Sequence, residues 1–226
     1  MNILALDTSM GACSAAVLRT DGAERTLFVR QEAMARGHAE ALMPMVAETM
    51  AEAALPFAEL GLIAATTGPG SFTGVRIAIA AARGLALVTG AGLFGTDSLT
   101  VMAKTAGPLG EPFAVAVDAR RGMLYFGLYD GDARKLEGPL LLSPGDAAQR
   151  LPATLRRAVG SGAGSLAEAA AGRGLHVAAS FAELQPSAAT LALIAHESGE
   201  TSPTLKPLYL RPPDAKPQMQ TVAVPR

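Results

Sequence analysis

The sequence has no tryptophan, a single cysteine (Cys13) and few aromatic residues of any kind. One cysteine excludes an internal disulfide and any metal site built from several thiolates. Charged residues fill only 17% of the 226 positions, whereas hydrophobic ones fill 50%. That balance excludes a disordered chain and leaves apolar surface for a large core. Neither sign of charge is in excess: 19 basic and 20 acidic residues give a net charge of −1. A protein that grips nucleic acid unaided carries a basic stripe, and here only the pairs Arg120-Arg121 and Arg156-Arg157 stand out. The N-terminus, MNILALDTS, has no basic lead before Asp7 and does not read as a secretory signal. The longest apolar stretch, Val75 to Phe94, carries Arg76 and Arg83, which a membrane span would avoid. The expected location is the cytoplasm, without membrane contact.

Several chemistries lack their signatures. His38, His176 and His196 are not spaced as zinc ligands. Ser9, Ser71 and Ser98 lack the G-x-S-x-G context of a serine hydrolase. Neither a G-x-x-x-x-G-K-[ST] phosphate loop nor a G-x-G-x-x-G dinucleotide turn is present around Gly68, Gly70 and Gly74, because no lysine follows and Thr73 holds the last dinucleotide position.

The most informative segment present is Thr66 to Leu87, TTGPGSFTGVRIAIAAARGLAL. A turn of glycines and one proline runs into a helix over Phe72 to Val88 that carries little bulk. Ser71 or Thr73 can cap its first free N–H groups. Such a turn can bind an anion at the helix N-terminus, but its spacing favours a tight structural turn. Val75, Ile79, Ala82 and Ala86 share one face. Ala78, Ala81 and Leu85 lie beside them, and Ile77, Ala80, Gly84 and Leu87 form a third strip. Apolar residues on most of the circumference require burial on more than one side. A helix over Gly37 to Ala54 is similar, with Leu42, Met43, Val46, Met50 and Ala53 at helical spacing and Pro44 in its second turn. Methionines at 34, 43, 45 and 50 suit either a core or an adaptable interface.

The remaining pattern is a strand over Asn2 to Leu6, strands over Ala12 to Leu18 and Thr26 to Arg30 around a Thr20-Asp21-Gly22 turn, a buried strand over Leu62 to Thr66, and a short one at Leu93-Phe94. Asp97 or Ser98 caps a helix through Ala106, and Gly107-Pro108 marks a boundary. Phe113 to Tyr129 repeats the grammar of the first hairpin. Shifted by 111 positions, Ala5 falls on Ala116, Asp7 on Asp118, Gly11 on Gly122 and Asp21 on Asp132. Two halves on one plan follow: a lobe over 1–107, a smaller lobe over 108–205, and an extended tail over 206–226 returning towards the first lobe. Within the second half, short helices and a strand near Ala158-Val159 are expected, then a helix over Ser187 to Ser198. Asp7 and Asp118 end their strands, with the Thr8 and Ser9 hydroxyls next to the first. Such a pair can hold a magnesium–phosphate group between lobes, with Gly68 and Gly70 beside it. Alternatively both are turn-initiating Asx residues.

The blocks MNILALDTSMGACSAAVL, GHAEALMPMV, TTGPGSFTGVRIAIAAARGLAL, GTDSLTVMA, VDARRGMLYFGLY and PLYLRPPDAK resemble, in order and spacing, the bacterial TsaB family, accessory proteins of tRNA threonylcarbamoyladenosine synthesis once called glycoprotease-like. The resemblance implies an α/β, actin-like (ribonuclease H-like) duplicated fold of two lobes. It implies a non-catalytic scaffold with no cofactor and no metal, because Ser98 and Met102 stand where the catalytic paralogue carries an H-x-x-x-H pair. It implies pairing with a TsaD-type catalytic subunit, or with a second copy, through the first two helices. The implied contact residues are His38, Leu42, Met45, Val46 and Thr49 of the first and Phe72, Val75, Ala78, Ile79, Ala82 and Ala86 of the second. Ala82→Glu is then expected to abolish pairing and leave a folded chain. A TsaE-type small ATPase joins the pair, and tRNA is met only within the complex. The rival reading is an ATP-binding enzyme of the actin-like class using Asp7, Asp118 and the Gly68 to Gly74 turn.

Overall fold

The computed structural model describes residues 1–211. The first sheet contains β1 (Asn2–Asp7), β2 (Ala12–Asp21), β3 (Glu24–Ala33), β4 (Leu60–Thr66) and β5 (Gly92–Thr96) in the order β3-β2-β1-β4-β5. β2 pairs antiparallel with both β1 and β3, while β1, β4 and β5 are parallel. Central β1 is continuously apolar because both its faces are covered. On one face lie α1 (His38–Glu52) and α2 (Phe72–Thr89), which pack Leu42, Val46, Val75, Ala78 and Ile79 against Leu4, Leu6, Val17 and Ile63. On the other lies α6 (Ala188–Ser198), whose Leu191, Ala192 and Ala195 meet Ile3, Ala5, Leu18 and Leu62.

The second sheet repeats the plan with β6 (Phe113–Asp118), β7 (Leu124–Tyr129), β8 (Lys135–Leu142), β9 (Arg157–Val159) and β10 (Ala178–Ser180) in the order β10-β9-β6-β7-β8. The bounds of β6 are those of β1 moved by 111 residues. α4 (Pro144–Arg150) and α5 (Ala163–Ala171) cover one face, and α3 (Ser98–Ala106) covers the other. The helix that ends each half therefore packs on the sheet of the other half, and α3 and α6 also touch each other. This exchange ties the two sheets together.

Most expected elements are present, with longer hairpin strands. β3 extends from Glu24 to Ala33 because its polar residues line an edge strand, where water satisfies them. Sequence patterning missed β8, α4 and β10. Gly138-Pro139 interrupts β8 and shifts its register against β7, so no run of alternating residues announces it. Pro44 is accommodated inside α1 without ending it. Among the described residues α2 alone has the length and apolarity of a membrane span, but its buried face belongs to the core of the first sheet. Residues 200–211 run back along the first sheet: Ser202 N–H donates to Leu93 O (2.6 Å), Leu208 N–H donates to Thr67 O (2.7 Å), and Leu205 is buried. The remainder of the expected tail, 212–226, lies outside the described residues.

Candidate functional site

The glycine turn between β4 and α2 sits directly against the turn between β1 and β2. Ser71 N–H donates to Ser9 O (2.8 Å), and Thr8 Oγ1 donates to Gly74 O (2.6 Å). The approach is close enough to demand glycine. A Cβ on Gly70 would lie 2.2 Å from Ser9 O, and one on Gly74 2.0 Å from Thr8 O. Gly68 is buried, and its carbonyl accepts the Ser98 N–H (2.8 Å). Of the two candidate caps, Ser71 is the one used: its Oγ accepts the Gly74 N–H (2.9 Å). At α3 the cap is Asp97, which accepts from Thr100 N–H (2.8 Å) and pairs with Lys135 Nζ (2.6 Å).

Beneath these turns lies a buried polar knot. Asp7, Thr8, Ser9, Thr66 and Ser98 are all fully buried. Asp7 Oδ1 accepts the hydroxyls of Thr66 and Ser9 and more weakly the Ser9 N–H. Ser98 Oγ donates to Ser9 Oγ (3.0 Å). Asp7 Oδ2 is buried without a hydrogen-bond partner. Burial pushes the Asp7 carboxyl up to about 6, against the lowering pull of the Thr66 and Ser9 hydrogen bonds. Asp118, its counterpart at the end of β6, is exposed and accepts the Arg120 N–H (2.7 Å), which is the Asx-turn arrangement. The structure thus gives the two aspartates different environments. Only Asp118 meets solvent; Asp7 is buried at the base of the β1–β2 turn, whose Thr8 and Ser9 pack against the glycine turn. As folded, Asp7 and Asp118 are not both accessible to one magnesium–phosphate group.

Ser98 and Met102 do not suit a metal either. Met102 packs among Leu99, Phe113, Val115 and Tyr129, and Ser98 is spent on Ser9. Among the described residues no group of three or more His, Cys, Asp or Glu is placed to hold an ion. Cys13 is buried in the core, and that burial pushes its thiol up to about 11. His38 is a polar contact, with Nε2 3.1 Å from Met10 O.

The two helices divide their apolar residues differently from the expected contact set. Eight of the eleven expected contact residues, namely Leu42, Met45, Val46, Thr49, Val75, Ala78, Ile79 and Ala82, are buried against this chain's own sheet. His38 and Ala86 are half-buried and Phe72 is exposed. The outward face of α2 is instead the third strip, with Ala80, Gly84 and Leu87 exposed and Ile77 half-buried, joined by Val88. Leu87 and Val88 are 87% and 86% exposed, the highest values among large hydrophobic side chains of the described residues. On α1 the outward residues include Met43 and Ala47. Ala82, at 0% exposure, is a core residue. A glutamate there would unfold the chain rather than test an interface, which corrects the expectation for Ala82→Glu. The choice between faces was invisible in sequence because all three strips of α2 are apolar.

A family model described as "TsaD: tRNA N6-adenosine threonylcarbamoyltransferase" matches residues 29–201. The structure of YeaZ from Pseudomonas aeruginosa superposes with a TM-score of 0.80 at 33% identity, covering 92% of this chain and 99% of that one. This chain belongs to the TsaB (YeaZ) family. An uncharacterized Mycobacterium tuberculosis protein is 34% identical over 220 residues, 95% of this chain and 94% of its own length. The TsaB of Escherichia coli K12 is 38% identical over 134 residues, 58% of this chain. The chain spans little more than half the length of the TsaB relatives it matches, 56% for E. coli and 60% for Buchnera aphidicola. TsaB membership accounts for the duplicated actin-like fold.

The partnership of Phe72 and Arg76 with Tyr209 in this TsaB chain was not legible in sequence. Tyr209 stacks on Phe72 with ring centroids 5.3 Å apart, and Arg76 lies over the Phe72 ring at 3.7 Å. Arg76 and Tyr209, 133 residues apart along the chain, left no local signal.

Proposed function

We propose that this chain is a non-catalytic accessory subunit in the synthesis of threonylcarbamoyladenosine in tRNA. It works in the cytoplasm, pairs with a TsaD-type catalytic subunit, and serves a TsaE-type ATPase that joins the pair. The observation that carries the reading is the outward strip of α2. Leu87 and Val88 are almost fully exposed, and Gly84 has nothing within 4 Å of where a Cβ would stand. A smooth apolar helix face beside α1 suits close helix–helix packing against a partner of the same fold. The buried Ser98 and Met102 supply no metal chemistry, which supports a scaffold role. The lobes divide near residue 107, and tRNA is met within the assembly.

The test is co-purification of the chain with the catalytic subunit of its own organism. Wild type should pair, and the double variant Ala80→Arg/Leu87→Glu should not while keeping its circular dichroism. Retained pairing by that variant would remove α2 from the interface. If the isolated chain is a homodimer, the same double variant should make it a monomer.

A further inference from the structure

The C-terminal segment 206–211 lies over the start of α2 and then reaches the β6–β7 turn of the second sheet. Tyr209 is 42% exposed and Phe72 50%. Their rings stack with an interplanar angle of 27°, and Arg76 Nε donates to Tyr209 Oη (2.6 Å). Two residues on, Arg211 donates from Nη2 to Ala119 O (3.1 Å) and reaches Arg120 O (3.5 Å). Arg120 is exposed and left-handed, with φ 61°. That conformation is unfavourable for a non-glycine residue, and it holds the side chain on the turn that Arg211 braces. Asp118 is the carboxylate of this turn, and its Oδ1 is occupied by the Arg120 N–H.

An exposed aromatic stack flanked by guanidinium groups has a specific chemical complement. Every nucleobase offers a π-face to stack on, and every linkage offers a phosphate to an arginine. An acidic protein surface would use the arginines but leave the stack idle. We propose that Phe72, Tyr209, Arg76, Arg120 and Arg211 form a docking face for an unpaired stretch of RNA. The proposal rests on the chain working in a tRNA-modifying assembly and gives that assembly an RNA contact outside the catalytic subunit. The near-zero net charge makes this contact weak and salt-sensitive rather than self-sufficient.

Fluorescence anisotropy of a labelled uridine-rich 12-mer, titrated with the full chain between 50 and 200 mM salt, tests it. Wild type should bind at 50 mM salt. Arg120→Gly/Arg211→Ala should weaken binding about 10-fold and flatten the dependence of log K on log salt by about 1.4, the effect of two lost single-strand phosphate contacts. Tyr209→Leu should weaken it about 5- to 30-fold and leave that slope unchanged. Arg120→Gly relieves the left-handed strain, and an unchanged circular dichroism spectrum and thermal midpoint of the double variant separates lost binding from lost fold. Absence of wild-type binding, indifference to all three substitutions, or equal competition by a 12-base-pair duplex or by poly-glutamate would overturn the proposal. Co-purification with the catalytic subunit is measured on the same preparations. A wild-type chain that pairs but does not bind the RNA refutes the RNA face alone, whereas failed wild-type pairing refutes the accessory role.

Discussion

Replacing Gly74 by alanine separates a packing turn from a ligand loop. Helix propensity alone favours alanine inside α2 by about 1 kcal/mol. The tertiary contact opposes it, because the new Cβ would stand 2.0 Å from Thr8 O and 2.6 Å from Ser71 Oγ. Relief requires α2 to back away from the β1–β2 turn. The Ser71 cap then weakens, at about 1 kcal/mol. Thr8 Oγ1–Gly74 O and Ser71 N–Ser9 O stretch with it, and each buried bond left unmade costs about 1–3 kcal/mol. The net expectation is destabilisation of about 2–4 kcal/mol. Gly84 is the internal control: it lies in the same helix with open space around its Cα, so Gly84→Ala should stabilise by about 0.5–1 kcal/mol. Urea unfolding followed by circular dichroism reads both, as midpoint shifts of opposite sign at similar slope. A Gly74→Ala variant as stable as wild type would refute the close approach and reopen the turn as a ligand loop.

Asp7 gives a pH test. Its folded value is raised to about 6 from 3.8, so the native state binds the proton more tightly. The stability this confers is present below about pH 4 and lost as pH rises through 6, an amplitude of about 3 kcal/mol. Asp7→Asn should remove that component of the stability–pH curve, and an unchanged curve would show that Asp7 is not the group. Calorimetry with magnesium–ATP should be silent, because Asp7, Thr8 and Ser9 are sealed beneath the glycine turn. Saturable heat that disappears in Asp7→Ala would restore the enzyme reading. Ala82→Glu should fail to fold, whereas Leu87→Glu should fold normally, since the two differ from 0% to 87% exposure. Thermal melts of the two variants check the assignment of faces.

Local rules carried the first lobe well. β1 is legible as an apolar run ending in aspartate, α1 and α2 by helical periodicity, and α3 by a capping residue before an apolar segment. The second lobe was less legible, since β8 is interrupted by Gly138-Pro139 and β9 and β10 have three residues each. Such short segments carry too few side chains to establish a period. The shift of 111 residues between β1 and β6 was visible because both strands are central and end in the same turn chemistry.

Two questions were settled only by tertiary structure. The glycines of the Gly68 to Gly74 turn announced that something approaches closely, but composition could not say whether it was a phosphate or Ser9 and Thr8. The hairpin turn that fills the space lies some sixty residues earlier in the chain. Likewise the sequence determined that α2 is apolar all round, and hence that more than one side needs a neighbour. Which strip faces the chain's own sheet depends on the helix's rotation about its axis. That rotation is set by contacts at Val75, Ala78, Ile79 and Ala82 with distant strands, and it leaves Ala80, Gly84, Leu87 and Val88 outward.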